Sequence, residues 1–460
     1  MLIRFNVKNF LPFCEHSEGR SEEFSMIAGK VRKKKEHVFN DRKIKILKFA
    51  AIYGANASGK SSLVKAINFM RQTIVDRLPD GYSEMYCKTD LKNGDKPTYF
   101  ETEILLNGKY YSYGFEILLK QGKFLSEWLI ELIGDKEKTI FSRDIKNEVF
   151  DSSLKSGELG KRISIYAEDI KSDDSVLFLH MMNRNKKDFY EKEPSARILQ
   201  DIFLWFQETL TIIFPGDIAT NYINAFQTNR ISNVTRLLNA FGTGIIKCKL
   251  ADIKDNNELE KILAKTPENF GKMFKKTLEE TQVKLNREEF KTARLVLRQK
   301  DGLFLFTLTE NNPLSCQKVQ FTHNNNEIPF NLREESDGTV RLIDLIEILL
   351  NNQQKVYVVD ELDRCLHPML SYKFIQTYLE MAKERNCQFI VTTHESRLID
   401  LNLLRRDEIW FVNKSTKGQA NIYSLEEYNT RFDEKADKAY LEGRYGGIPI
   451  FGKISQIKED

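Results

Sequence analysis

The chain is poor in the features that mark several protein classes. Its 460 residues include six cysteines (Cys14, Cys87, Cys248, Cys316, Cys365 and Cys387), and no two of them form a Cys-x-x-Cys pair. That excludes a common zinc motif, gives no disulfide framework and points to reduced thiols in a cytosol. No run of about 18 apolar residues occurs, so no membrane span is expected. The first residues, Met1 to Val7, alternate like a strand and lack the long apolar stretch of a secretion signal. Neither charge dominates: 70 basic against 66 acidic residues do not mark a global polyanion binder, so any basic surface must be local. Internal repeats and heptads long enough for a coiled-coil arm are absent. So are an H-N-H pattern, a zinc-ligand set and a convincing acidic cluster of Toprim type.

What is present suffices for a large core. Hydrophobic residues make up 41% and aromatics 11%, while 30% charged residues give a solvated surface. The length leaves room for a second module beside a core of roughly 200–250 residues. Periodicity predicts strands at Leu2 to Asn9 and Ile46 to Tyr53, then a helix from Ser62 to Arg77. Asn107-Gly108 between two alternating runs, Tyr99 to Leu106 and Tyr110 to Leu118, predicts a hairpin, and Phe124 to Ile133 extends its sheet. The chain then turns polar to about Asp174. Helical spacing follows at Ala196 to Ile213, Asn233 to Phe241 and Glu258 to Glu280. Strands are expected at Ala293 to Leu297 and Leu303 to Leu308. The last part alternates helix Leu342 to Leu350, strand Val356 to Val359, helix Leu370 to Arg385 and strand Gln388 to Thr392. That alternation marks a parallel α/β sheet. The expected organisation is a split core, residues 1–135 with a β-hairpin lobe and residues 293–460, interrupted by a mainly helical insertion at 136–292.

Four segments carry chemistry. Gly54-Ala55-Asn56-Ala57-Ser58-Gly59-Lys60-Ser61, running into Ser62, matches G-x-x-x-x-G-K-[ST] between a strand and a helix. Its glycines let backbone N–H groups turn toward phosphate oxygens, and the helix N-terminus adds a favourable dipole. Lys60 would reach the β- and γ-phosphates of ATP and Ser61 would ligate Mg²⁺. Asp360-Glu361 ends an apolar strand: the aspartate would support Mg²⁺, and the glutamate would polarise an attacking water. His394, at the carboxyl end of a parallel strand, would hydrogen-bond the γ-phosphate or that glutamate. Ser336-Asp337-Gly338 opens an amphipathic helix and would face a γ-phosphate from the opposite side, although a plain N-cap reads the same way.

With these motifs in order, the chain resembles the ABC-type ATPases of bacterial abortive-infection and phage-defence operons, the AbiL- and RloA-like relatives of OLD-family, RecF and SMC-type heads. Met1-Leu2-Ile3-Arg4-Phe5 with Lys8-Asn9-Phe10, the segment Ala51 to Ser61, Glu361 to Pro368, Leu404 to Phe411, and the tail Tyr440 to Pro449 carry the resemblance. It implies a P-loop NTPase fold of ABC type, a mixed sheet core with an antiparallel β-lobe. It also implies a dimer, or a higher homo-oligomer, with two composite sites. Lys60, Ser61, Asp360, Glu361 and His394 would come from one protomer and Ser336 and Gly338 from the other. Glu-Ser-Asp-Gly-Thr stands where transporters carry Leu-Ser-Gly-Gly-Gln, which argues against transport. No glutamine-loop equivalent is obvious, with Glu101 and Gln121 as candidates near Mg²⁺. Gly443 to Gly447 is a resemblance without a mechanism, and a glycine-rich turn accounts for it equally.

Two enzymatic readings and one non-enzymatic one remain open. The first is a cytoplasmic ATPase that regulates an effector encoded nearby, with a nuclease as the expected effector. The second is a RecF- or SMC-head-like ATPase that clamps DNA, with DNA or RNA as ligand. The third is a nucleotide-gated scaffold with negligible turnover. The basic stretch from Arg32 to Lys48 fits a solvated loop better than a phosphate-backbone contact, and Phe203, Trp205, Phe206 and Phe214 fit a core.

Overall fold

The computed structural model describes residues 1–15, 19–41, 43–154, 157–184, 187–217, 230–264, 279, 281–282, 292–299, 302–309, 314–323, 328–428 and 436–448. They fall into two compact units. The first comprises Met1–Pro215, Gln353–Leu362 and Ala382–Asp460; the second comprises Gly216–Asn352 and Asp363–Met381.

The first unit holds two large sheets. Its six-stranded sheet runs Leu210–Ile213, Val356–Val359, Gln388–Thr392, Phe49–Tyr53, Ile409–Lys414, Ala420–Ser424. Every neighbouring pair is parallel except the last. The central strands are buried on both faces, which explains their unbroken apolar character. The other sheet is a seven-stranded antiparallel lobe in the order Val149–Ser152, Lys136–Asp144, Lys123–Ile133, Lys109–Leu118, Thr98–Leu106, Leu2–Lys8, Glu22–Ser25. The Asn107-Gly108 turn has both residues left-handed, at φ 51° and 74°, as the expected hairpin requires. Helix Lys60–Val75 buries Leu63, Val64, Ile67, Met70 and Ile74 in a core shared with Phe10, Phe100 and Ile52.

One buried side chain ties both sheets together. Gln388 Oε1 accepts the Leu2 N–H at 2.6 Å, and its Nε2 donates to the carbonyls of Leu2 at 2.9 Å and Leu47 at 3.0 Å. These are backbone groups that a strand end leaves without a ladder partner.

Several expectations are corrected. The strand expected from Ile46 to Tyr53 breaks at Lys48, where the side chain turns inward and donates to the carbonyls of Ala382 at 2.7 Å and Lys383 at 3.3 Å. Burial lowers the Lys48 pKa, and this residue is structural rather than part of a basic surface. Arg42, of the same stretch, lies outside the described residues. The helix expected through Ile213 ends at Leu204; a π-helical turn, Trp205–Thr209, leads into the strand Leu210–Ile213. Short apolar runs suit either state, and the β-branched Thr211, Ile212 and Ile213 side with the strand once Val356–Val359 offers its edge. The polar stretch after Ile133 contains two further strands and the helix Gly157–Ile170. The expected boundary at 135/136 therefore falls inside a hairpin. Phe203, Trp205 and Phe206 are core, with Phe214 packed against it.

Cys14 and Cys87 form a disulfide, their Cα atoms 5.6 Å apart, correcting the expectation of unpaired thiols. The pairing has no signature in sequence, since 73 residues separate the two. Asn9 brings the segments together, its Nδ2 donating to the Asn93 carbonyl at 2.8 Å and its Oδ1 accepting the Cys87 N–H at 3.2 Å.

The second unit contains the antiparallel sheet Lys247–Ile253, Ser315–Thr322, Gly302–Thr309, Thr292–Gln299 and the helices Ile231–Ala240, Asn256–Ala264 and Asp337–Leu350. Most of the helix expected from Glu258 to Glu280 lies outside the described residues. Among the described residues of the chain, no helix is long and apolar enough to cross a membrane.

Candidate nucleotide site

Parallel register brings three strand ends to one edge. Val359 pairs with Val391, and Thr392 pairs with Ile52, so Asp360, His394 and Gly54 follow one after another at adjacent carboxyl termini. Crevices outside such termini are where open α/β sheets bind ligands.

The loop from Gly54 to Gly59 has the backbone of a phosphate cradle. Ala57 and Gly59 are left-handed, at φ 62° and 118°, and Gly59 caps helix Lys60–Val75 with no side-chain acceptor. The first-turn N–H groups are thereby left for an anion. A Cβ at Gly54 would lie 2.4 Å from the Val412 carbonyl oxygen and 2.5 Å from Ser58 Oγ, so this position needs glycine. Ser58 Oγ is buried and has no hydrogen-bond partner. Lys60 is 5% exposed. Its Nζ donates to the carbonyls of Gly54 at 2.8 Å and Ala55 at 3.0 Å, and lies 3.4 Å from His394 Nδ1.

The acidic pair is held by a threonine. Asp360 is 2% exposed, and its Oδ1 accepts from Thr392 Oγ1 at 2.6 Å and from Ser61 Oγ at 3.1 Å. Thr392 Oγ1 also accepts the Glu361 N–H at 2.8 Å. Glu361 is left-handed at φ 50°, turning the chain out of the strand. The Ser61 hydroxyl and the Asp360 carboxylate are hard oxygen donors, which fit Mg²⁺, a cation that usually keeps waters and takes phosphate oxygens. No cluster of three or more His, Cys, Asp or Glu side chains able to hold a metal exists among the described residues. The oxygen pair beside the phosphate loop suits a cation whose remaining ligands are waters and phosphate oxygens.

A cleft of 940 Å³ opens over this apparatus. Asn56, Ala57, Ser58, Gly59, Lys60, Ser61, Ser62, Glu361 and His394, all singled out in the sequence, line one part. Leu11, Pro12, Tyr86 and Thr89 line the rest, with Lys88, Lys414 and Lys417 adding positive charge. Those residues were invisible to motif reading because they come from separate loops, while Thr392 was visible only as a neighbour of His394. Gly54, Ala55 and Asp360 do not line the cleft; they act on it through Lys60 and Ser61.

Neither glutamine-loop candidate reaches the cleft. Glu101 is engaged within the lobe, accepting from Ser112 Oγ at 2.7 Å, Asn6 Nδ2 at 3.1 Å and Trp128 Nε1 at 3.3 Å. Gln121 sits in the turn after Leu118. Ser336 and Gly338 belong to the second unit. Ser336 Oγ caps helix Asp337–Leu350 by accepting the Thr339 N–H at 3.2 Å, and a Cβ on Gly338 would lie 2.9 Å from the Cys365 carbonyl oxygen.

The model of the family described as "AAA domain, putative AbiEii toxin, Type IV TA system" matches residues 49–400. No curated protein matches the chain. Among solved structures, an SMC head bound to the C-terminal winged-helix domain of ScpA is 15% identical, with a TM-score of 0.42, covering 92% of this chain and 97% of its own. An SMC head domain from Thermotoga maritima is 13% identical, with a TM-score of 0.37 and coverages of 92% and 98%. An SMC head with an extended coiled coil, bound to the C-terminal domain of ScpA derived from Pyrococcus furiosus, is 16% identical, with a TM-score of 0.38 and coverages of 96% and 99%.

Proposed function

The chain belongs to this AAA-domain family and is an ATP-binding ATPase, and from that premise we propose that Mg²⁺-dependent hydrolysis in a dimer regulates a partner effector in bacterial phage defence. The observation that carries the catalytic part is the convergence of Lys60, Ser61, Asp360 and His394 around Thr392 and the phosphate loop. Lys60 exchanges its loop carbonyls for phosphate oxygens when ATP enters. Ser61 and Asp360 would hold Mg²⁺, which supplies charge neutralisation at the phosphates when bound. Glu361 orients a water whose oxygen attacks the γ-phosphorus; the bond to the bridging oxygen breaks and ADP leaves. His394, exposed at the cleft and beside Lys60, donates a hydrogen bond to the γ-phosphate.

Dimerisation has its own support. The resemblance to ABC-type ATPases is that support, with Ser336 and Gly338, at the start of helix Asp337–Leu350, serving the γ-phosphate of a second copy. The effector is a protein encoded nearby, a nuclease in this reading; the toxin and Type IV TA system in the family's description support a paired partner. The site of action is the cytoplasm, where ATP is abundant.

The test is phosphate release by wild type and Glu361→Gln with Mg²⁺, alongside the mass in solution with ATP. Loss of turnover in Glu361→Gln, with an ATP-dependent doubling of mass, is expected. Unchanged turnover in that variant would remove Glu361 from catalysis, and a constant monomer mass would remove the composite site.

One observation favours a DNA-clamp reading as second choice. Arg405 donates to the carbonyls of Val31 at 3.3 Å and Lys33 at 2.9 Å, holding a loop whose Lys30, Arg32, Lys33 and Lys35 are exposed. Fixed charges suit a phosphate backbone. Stimulation of turnover by double-stranded DNA, lost in Arg32→Glu/Lys33→Glu, would move the assignment there.

A further inference from the structure

The glycine-rich tail, unassigned by any nucleotide chemistry above, ends against the back of the phosphate loop. Helix Ala436–Leu441 stops at Gly443, left-handed at φ 79°, whose N–H donates to the Tyr440 carbonyl at 2.8 Å. Gly446 and Gly447 are also left-handed, at φ 67° and 68°. Two consecutive residues of that hand need glycine or strain. The second brings the backbone into close approach: a Cβ on Gly447 would lie 3.3 Å from Gly54 Cα.

An aromatic cluster holds the turn there. The Tyr440 ring lies 6.0 Å from that of Tyr53 and 5.6 Å from that of Phe411, and the Tyr445 ring is also 5.6 Å from Phe411. Tyr53 and Phe411 belong to the phosphate-loop strand and its neighbour. The Tyr440 hydroxyl donates to the Gly447 carbonyl at 3.0 Å, fixing the glycine that approaches Gly54. Tyr423 adds a bond at 2.5 Å to the Tyr445 carbonyl, and Asn413 accepts the Gly447 N–H at 3.4 Å. On the far side of Gly54, its carbonyl receives the Lys60 ammonium.

We propose that the turn from Tyr440 to Gly447 positions the phosphate loop, with Tyr440 and Gly447 as positioning residues that set Gly54 and, through its carbonyl, Lys60. The proposal rests on the reading of the cleft as an ATP site. A phosphate cradle works by backbone N–H direction, and small displacements of its first glycine redirect the groups that follow. The tail therefore governs ATP affinity from behind a loop it never crosses.

The test uses the full chain as wild type, Lys60→Ala, Tyr440→Phe and Gly447→Ala, measuring ATP affinity by calorimetry, KM and kcat by phosphate release, and melting temperature. Tyr440→Phe keeps the ring contacts and removes only the hydroxyl, so it stays folded. It is expected to weaken ATP binding on the order of tenfold, seen as a raised KM, with a melting temperature close to wild type. Gly447→Ala, which adds a Cβ against Gly54, is expected to weaken it further. Wild-type affinity in Tyr440→Phe would overturn the proposal, and a lowered melting temperature with unchanged KM would leave the tail a purely structural element. Equal ATP binding by wild type and Lys60→Ala would instead sink the ATP-site reading itself.

Discussion

Thr392 Oγ1 donates to Asp360 Oδ1 at 2.6 Å while accepting the Glu361 N–H at 2.8 Å, so one hydroxyl orients both acidic residues of the candidate site. Adjacent parallel strands make this possible, because Thr392 ends the strand beside the one that Asp360 terminates. Thr392→Val keeps the shape and removes both bonds. Turnover is expected to fall about 10- to 100-fold, the usual cost of losing support behind a metal-binding carboxylate. ATP affinity measured without Mg²⁺ should stay within a few-fold of wild type. Wild-type kcat in a folded Thr392→Val would refute the arrangement.

Lys60 and His394 touch but have different work. Lys60 is buried among loop carbonyls that a phosphate would replace, so Lys60→Ala should lose ATP affinity by roughly 100-fold, the scale of a charge-assisted bond. His394 is exposed at the cleft, and His394→Ala should retain binding while slowing turnover. Equilibrium binding beside single-turnover hydrolysis separates the two. Equal loss of binding in both variants would contradict the division.

Gln388 serves stability. Replacing it by alanine leaves the Leu2 N–H and the Leu2 and Leu47 carbonyls buried without a partner. The expected cost is about 2–4 kcal/mol, readable as a lowered urea midpoint. An unchanged midpoint would mean that water or a backbone shift satisfies these groups.

The Cys14–Cys87 disulfide joins the segment carrying Leu11 and Pro12 to the one carrying Tyr86 and Thr89, all of which line the cleft. For 73 residues of separation, the chain-entropy account gives about 4 kcal/mol of stabilisation. Reductant should lower the melting temperature of wild type and leave Cys14→Ser/Cys87→Ser unmoved. Absence of a reductant effect would show that the thiols stay reduced in the purified protein.

Legibility varied with the range of the interactions involved. Phosphate loop, acidic pair and hairpin turn were readable because each depends on the local backbone: a left-handed glycine, a strand-to-loop exit, an Asn-Gly turn. The strand Leu210–Ile213 was misread because its periodicity suits a helix, and only the edge of Val356–Val359 decides for a strand. Lys48 closes a basic stretch that reads as a solvated loop, yet tertiary packing turns it inward onto carbonyls of residues 382 and 383.

By itself, then, the sequence determined the local elements: a glycine loop between a strand and a helix, two carboxylates at a strand end, and the order in which they occur. Glycine conformations and strand ends are local properties of the chain. The tertiary structure alone decided who supports them. Thr392 behind Asp360, Gln388 between two sheets, Cys14 against Cys87 and Gly447 against Gly54 join residues far apart in sequence, or strands whose pairing only the fold sets. A hydrogen bond or close contact of that kind depends on distances of a few ångströms, and only packing of the whole core sets those distances.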